Sequence, residues 1–301
     1  MQADTPTTHR YGTVAIVGRP NVGKSTLLNA LLGTRLSIVT PKPQTTRHRI
    51  LGIVTRADAQ VAFIDTPGLH EGGKRALNRQ LNRVARQVPD EADLLVHVVE
   101  GIRNHDEDEA VRRLVGAQPA PCLLAVNKVD RLADKSVLLP FAQSMMHEHG
   151  YAAVHFIAAR RGDGVPALLD DIVRRLPEGK AQFGEDEYTD RSERFLVAEF
   201  VREQLMLQLG EELPYATAVE IERYADEPGI TRIGAVIWVE RDGQKGIVIG
   251  AGGAQLKKIG SAARRAMEQM LGRRVFLELW VRVRESWSDD VAALRQFGYS
   301  E

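Results

Sequence analysis

The octet Gly18-Arg19-Pro20-Asn21-Val22-Gly23-Lys24-Ser25 constrains this chain more than any other stretch. It satisfies G-x-x-x-x-G-K-[ST], a glycine-rich turn whose backbone N–H groups wrap nucleotide phosphates. The flanks agree with that reading. Residues 14–17 (Val-Ala-Ile-Val) read as a buried strand, and residues 25–32 as a helix that Gly33 stops. Strand, turn and helix place phosphates at a helix N-terminus, where unsatisfied N–H groups and the dipole favour anions. In that frame Gly18, Asn21, Val22, Gly23 and Thr26 line the phosphates. Lys24 reaches the β- and γ-phosphates, and the Ser25 hydroxyl ligates Mg²⁺. The chain is expected to bind a nucleoside triphosphate.

The motifs downstream define the nucleotide. Residues 37–48 carry Pro41 and Pro43 and read as a loop. Within it Gln44-Thr45-Thr46-Arg47-His48 has the character of a switch, in which Thr45 or Thr46 meets Mg²⁺ when a γ-phosphate is present. Residues 49–56 and 60–64 are apolar runs around Ala57-Asp58-Ala59, a hairpin pattern. The second run ends in Asp65-Thr66-Pro67-Gly68. A carboxylate at a strand end beside the phosphate loop holds Mg²⁺ directly or through water, and the Gly68 N–H senses the γ-phosphate. A strand over 93–99, a polar helix over 106–115 and an apolar run over 121–126 lead into Asn127-Lys128-Val129-Asp130. The Asp130 carboxylate can accept from both the ring N–H and the exocyclic amine of guanine, a donor pair that adenine lacks. The wrong base would leave a buried polar group unpaired, so GTP is the expected substrate. A last strand over 153–157, a loop from Ala158 to Gly164 and a helix over 165–176 close the domain at Pro177.

These motifs together resemble the Era family of ribosome-assembly GTPases, and the match covers nearly the whole chain. The resemblance implies an α/β fold: a P-loop GTPase domain with a mixed, mostly parallel sheet, followed by an α+β type II KH domain. It also implies that Ala158 and Ala159 lie in the loop under guanine. Such proteins usually carry Ser at position 158, and the loop contacts the base chiefly through backbone N–H groups. Ala158 should therefore weaken the loop's own hydrogen bonding more than its specificity. In Ras-like enzymes a Gln after Asp-x-x-Gly orients the attacking water. Leu69 stands there, and His70 beside it reads as solvated. Asn21 matches the asparagine that helps hold K⁺ in potassium-activated relatives, so it either holds K⁺ here, beside the expected Mg²⁺, or only braces the loop.

The acidic, aliphatic-poor residues 177–190 read as a linker between a GTPase domain over 1–176 and a second domain over 191–301. Asp190-Arg191-Ser192-Glu193 caps a helix, and two strands follow near 217–224 and 234–240 around Pro228-Gly229. Then comes Ile247-Val248-Ile249-Gly250-Ala251-Gly252-Gly253, and a helix opening with Lys257 and Lys258. A Gly-x-x-Gly loop in this order of elements resembles a KH domain, where the loop clamps about four nucleotides of backbone. Era proteins usually carry Lys between these glycines, and Ala251 removes one phosphate contact. Between residues 241 and 284 ten basic residues face three acidic ones, a local +7 in a chain of zero formal charge. An RNA groove is the expected use of that excess. Trp280 and Trp287 carry rings that can stack on bases, but their strand and post-strand positions read as core.

The rest of the composition narrows the setting. The single cysteine, Cys122, excludes an intrachain disulfide and fits a reducing compartment. No stretch approaches 18 apolar residues, and residues 1–10 carry neither an apolar core nor an Arg-rich amphipathic pattern. A cytoplasmic monomer is expected. The resemblance adds small-subunit (16S) ribosomal RNA near its 3′ end and the small ribosomal subunit as partners, with peripheral contact at the inner face of the cell membrane as an accessory. A tRNA-modification GTPase is the alternative reading. It would need a folate- or cysteine-bearing helical domain, which the residues here do not supply. Nucleotide state is expected to set exposure of the KH surface. The guanine assignment has a direct test. Asp130→Asn should lower GTP affinity by about 100-fold and shift preference to xanthosine triphosphate, whose 2-oxo group suits an amide donor. Equal GTP affinity in both proteins would remove Asp130 as the base reader.

Overall fold

Long β-branched and aliphatic runs that are buried on both faces favour parallel strands covered by helices. The computed structural model describes residues 9–68, 76–102, 105–210 and 212–299, and these divide into two compact units. The first gathers the described residues of Met1–Ser37, Thr46–Gly72 and Leu81–Asp190. The second gathers those of Ile38–Thr45, Gly73–Gln80 and Arg191–Glu301. The switch stretch before Thr46 thus clusters with C-terminal sequence.

In the first unit, β1 (Arg10–Val17) leads through the phosphate loop into α1 (Lys24–Leu32). The hairpin β2 (Ile50–Thr55) and β3 (Ala59–Asp65) follows, then α2 (Ala76–Gln87), which clusters with this unit only from Leu81 onward, and β4 (Leu94–Glu100). The remaining elements are α3 (Asp106–Gly116), β5 (Cys122–Asn127), α4 (Leu138–His149), β6 (Ala153–Phe156) and α5 (Val165–Arg175). Sheet order is β2-β3-β1-β4-β5-β6, with only the edge strand β2 antiparallel to its neighbour. All seven residues of β3 are buried, as a central strand under helices requires. The carboxyl ends of β1, β3 and β5 therefore lie on the same edge, the usual ligand edge of an open α/β sheet. Helices α2 and α4 are not legible in the sequence. Leu139 and Met146, seven residues apart on α4, are exposed and blur its apolar stripe. Cys122 is half-buried on β5, and burial pushes its thiol up to about 12.

Residues 177–190 are strapped along the first unit. Gln182 N and Phe183 N donate to Gln60 Oε1 at 2.8 and 2.9 Å, and Gln60 Nε2 returns a bond to Phe183 O. Gln60 is fully buried on β3, so this amide satisfies itself by holding the strap.

The second unit runs α6 (Glu193–Gln208), β7 (Ala218–Glu227), β8 (Ile230–Val239), α7 (Asp242–Ile249), α8 (Ala254–Leu271), β9 (Val275–Val283) and α9 (Val291–Gln296). β7 pairs antiparallel and β9 parallel to β8. The Ser192 hydroxyl caps α6 by accepting from Phe195 N, in keeping with the capping pattern of the sequence. Val197, Val201 and Leu205 of α6 meet Ile259, Ala263 and Met267 of α8 and Ile233 and Ile237 of β8 in one core. Trp287 is core, but Trp280 is 42% exposed because Val281 takes the inward position of β9.

One buried group makes stability depend on pH. His97 of β4 is fully buried, with Nδ1 2.7 Å from the Tyr151 hydroxyl, and burial pulls its pKa down to about 3. The unfolded chain takes up a proton near pH 6.5 that the folded chain refuses. The group's contribution is whole above that value and drains away as pH falls toward 3. Between roughly pH 8 and pH 5 it should cost about 2 kcal/mol, a loss that His97→Asn should abolish. Urea unfolding across that range measures it, and equal pH slopes in the two proteins would contradict a neutral buried imidazole.

Candidate functional site

The phosphate loop is held open from beneath by one side chain. Asn127, at the end of β5, donates from Nδ2 to Val22 O at 2.8 Å. Its Oδ1 accepts from Lys128 N at 2.8 Å and Ala159 N at 3.0 Å. Gly23 must lack a side chain here, because a Cβ would sit 2.3 Å from Asn127 Nδ2 and φ is +105°. Lys128 Nζ donates to Asn21 O at 2.8 Å and pairs with Glu100 at 2.7 Å. One half of the guanine motif thus braces the loop that wraps the phosphates. Burial pushes the Glu100 carboxyl up, yet the hydrogen bond and charge of Lys128, with Arg19 nearby, carry it below the usual range. Asp130 is an exposed residue whose side chain is a quarter exposed, with the Arg161 guanidinium 3.6 Å away. Ala158 N donates to Asp163 O at 3.0 Å, a backbone closure of the loop that needs no serine side chain.

Lys24 is buried at the N-terminus of α1, donating to Gly18 O and Arg19 O at 2.8 and 2.9 Å. Burial lowers its pKa to about 8, against the pull of Asp65. Phosphate oxygens at the loop would restore full charge. Arg19 is turned instead to Asp108, at 3.3 Å, a carboxylate that is itself buried on α3. The loop therefore offers one cation, Lys24, to a nucleotide and fixes the other. Thr66 Oγ1 donates to Ile16 O at 3.0 Å, tying the end of β3 to β1. Pro67 and Gly68 are buried beside it, Gly68 so close to Pro20 that a Cβ would lie 2.7 Å from its nitrogen. Thr26 is half-buried. Leu69 and His70 lie outside the described residues.

Ser25, Thr46 and Asp65 converge. Ser25 Oγ donates to Asp65 Oδ2 at 2.6 Å and lies 2.8 Å from Thr46 Oγ1. Asp65 Oδ1 is buried with no partner among the described residues. Two hydroxyls and a carboxylate with one unsatisfied oxygen suit a hard, oxygen-seeking cation such as Mg²⁺. Thr45 is placed elsewhere. Its Oγ1 lies 2.6 Å from Thr40 Oγ1 and donates to Lys42 O, while its carbonyl accepts from Arg202 of α6 in the same unit. Gln44 carries a left-handed φ of +56° at this bend, Arg47 is buried and His48 half-buried. Two residues of the site escape sequence reading: Ser37, whose hydroxyl also reaches Asp65, and Glu100. The latter carries a signal, being a carboxylate at the exit of an apolar strand.

The glycine loop of the second unit connects α7 to α8. Helix α7 is unexpected, since Ile247-Val248-Ile249 favours strands by composition. A Cβ on Gly250 would sit 2.6 Å from that of Gln255, so this glycine is required by packing. Gly252 and Gly253 have φ of +57° and +80° with open space around them. Ala251, Lys257 and Lys258 are exposed, and Ile249 is half-buried. The local +7 is less available than composition suggests. Arg264, Arg273, Arg282 and Arg284 pair with Glu268, Glu193, Glu222 and Asp290. Lys257 and Lys258, beside the glycine loop, form no such pair among the described residues.

Known proteins resemble both units of the chain. A family model described as 50S ribosome-binding GTPase matches residues 13–128, and a KH-domain model matches residues 212–288. GTPase Era of Xanthomonas oryzae pv. oryzae is 57% identical over 295 residues, 98% of this chain and 99% of that one. GTPase Era of Stenotrophomonas maltophilia is 56% identical over 299 residues, covering 99% and 100% of the two chains. Among solved structures, a point variant of Aquifex aeolicus Era bound to GDP·AlF4⁻ superposes with a TM-score of 0.92 at 38% identity, over 97% of this chain and 100% of that one. Era in complex with MgGDPNP and nucleotides 1506–1542 of 16S ribosomal RNA gives 0.92 at 39% identity, with the same coverage. With relatives more than half identical along nearly its full length, this chain belongs to the Era family of GTPases.

Proposed function

We propose that this GTPase binds the 3′-terminal region of 16S ribosomal RNA through its KH surface and assists assembly of the small ribosomal subunit. The observation that carries the reading is the pairing, in one chain, of a loop-bracing Asn127 with an open Gly-x-x-Gly loop flanked by exposed lysines. An Era structure holding MgGDPNP together with nucleotides 1506–1542 of that RNA supports it. Agreement with Era proteins along both units favours this reading over a tRNA-modification GTPase. Our division of the chain is a GTPase domain over 1–176, a linker over 177–190 and a KH domain over 191–301. Coupling of nucleotide state to the KH surface draws support from Ile38–Thr45, which clusters with the second unit just before Thr46.

In hydrolysis, Ser25, Thr46 and Asp65 would hold Mg²⁺, which neutralises charge on the phosphates. Lys24 and the loop N–H groups bind the same oxygens, and Asp130 sets the base. Our reading gives Asn21 the further task of holding K⁺ near the phosphates, where a cation supplies the charge that an arginine finger gives elsewhere. It places the protein in the cytoplasm as a monomer, with any contact at the inner membrane face peripheral. Among the described residues no helix is long and apolar enough to cross a membrane.

The RNA reading is tested by replacing Gly252 and Gly253 with Asp. Open space and the relative tolerance of Asp for left-handed φ limit the strain of these substitutions, while two carboxylates repel the phosphates. RNA affinity in a gel shift should fall roughly 100-fold with GTP affinity held. Unchanged RNA binding would remove the KH assignment. For potassium, single-turnover hydrolysis should be about 10-fold or more faster in KCl than in NaCl, and Asn21→Ala should erase the difference. Equal rates in both salts would assign the missing charge to a partner-supplied group.

A further inference from the structure

Ser37 lies in the loop after α1, outside every nucleotide motif, yet it is 1% exposed and its hydroxyl donates to Asp65 Oδ2 at 3.2 Å. The loop holds it there by design of its backbone bonds. Asn29 of α1 donates from Nδ2 to Ser37 O at 2.8 Å, and its Oδ1 accepts from Leu36 N at 3.0 Å and Ser37 N at 2.9 Å. One amide side chain thus ties the backbone on both sides of Ser37 and aims its hydroxyl at Asp65. That amide belongs to the helix whose first turn presents Ser25. Both serine hydroxyls that meet Asp65 are therefore referenced to α1.

A carboxylate oxygen has two in-plane lone-pair sites. Asp65 Oδ2 accepts two hydroxyls, Ser25 Oγ at 2.6 Å and Ser37 Oγ at 3.2 Å. Oδ1 is left buried and without a partner among the described residues. Two fixed donors on one oxygen stop the carboxylate from rotating to share its charge with the protein, and keep the other oxygen for the metal's shell.

We propose that Ser37 is a positioning residue of the Mg²⁺ site: it fixes the orientation in which the Asp65 carboxylate would serve the metal, and Asn29 locks Ser37. The inference rests on the reading that Ser25, Thr46 and Asp65 hold Mg²⁺. It adds a donor, one layer out from the metal, that the GTPase motifs do not contain.

The test separates a metal effect from a general loss of structure. Dissociation of a fluorescent GDP analogue is followed across a Mg²⁺ titration and in excess EDTA, for wild type, Ser37→Ala, Ser37→Cys and Asn29→Ala. In wild type, Mg²⁺ should slow dissociation, and its failure to do so would overturn the metal site itself. If that holds, Ser37→Ala should need about 10-fold more Mg²⁺ for half of the effect, with its EDTA rate unchanged. Ser37→Cys, of similar volume with a weak donor, should fall between, and Asn29→Ala should move the same way as Ser37→Ala. An unshifted Mg²⁺ midpoint in Ser37→Ala would overturn the proposal, as would an equal acceleration with and without metal. Should Ser37→Ala not fold, the midpoint of Ser37→Cys decides by the same criterion.

Discussion

A loop of backbone N–H groups can bind phosphate only if it does not satisfy those groups on itself. In this protein that openness depends on the Asn127 amide. Its nitrogen takes Val22 O out of the loop's own hydrogen bonding, and its oxygen serves two N–H groups from the guanine side. The amide fits because Gly23 leaves the space, and Gly23 in turn supplies the left-handed turn into α1. The glycine-rich loop and the loops after β5 and β6 are therefore one mechanical unit. An Asp at 127 would keep the acceptor and lose the donor to Val22, so charge alone could not replace it.

Electrostatics around the loop follow a division of labour between two cations. Lys24 is buried and weakly satisfied by two carbonyls, a state that a polyphosphate improves. Arg19, next in sequence to Gly18 of the same loop, is consumed by Asp108 and Glu100. Asp108 is a costly place for a carboxylate, since burial raises its pKa and Arg19 supplies the main offset. The arrangement makes sense as anchoring: it fixes the loop to α3 and β4, and keeps a second guanidinium away from the phosphates.

What a sequence reveals of such a protein divides along the range of the interactions. Phosphate and guanine recognition use consecutive residues, because a turn and the helix after it are local objects, and those residues are legible. The strands are legible as well, through apolar runs and turn chemistry. Interactions that join distant sequence are not. Arg273 and Arg282 count toward a basic groove by composition, yet carboxylates 80 and 60 residues away, Glu193 and Glu222, neutralise them. Gln60 looks like one polar residue in a strand, and in the structure it holds residues 182 and 183 in place. Ser37 is one hydroxyl among several in a loop, and only its distance to Asp65 distinguishes it. Thr45 and Thr46 are adjacent and chemically alike, and backbone direction alone sends one to Thr40 and the other to Ser25.

The two units share a device despite their different folds. Helices α1 and α8 both begin after a left-handed glycine, Gly23 and Gly253, and neither has a side-chain cap. An uncapped N-terminus leaves its N–H groups to be satisfied by something else, and in a loop without bulky side chains a phosphate can approach closely. In α1 the approach is walled by Asn127, which suits a compact, enclosed polyphosphate. Before α8, Gly252 and Gly253 face open space and Lys257 and Lys258 stand one turn away, which suits a passing backbone held by charge at a distance. Ala251 fits the second case. With no lysine between the glycines, the charge offered beside the loop is that of Lys257 and Lys258 on α8.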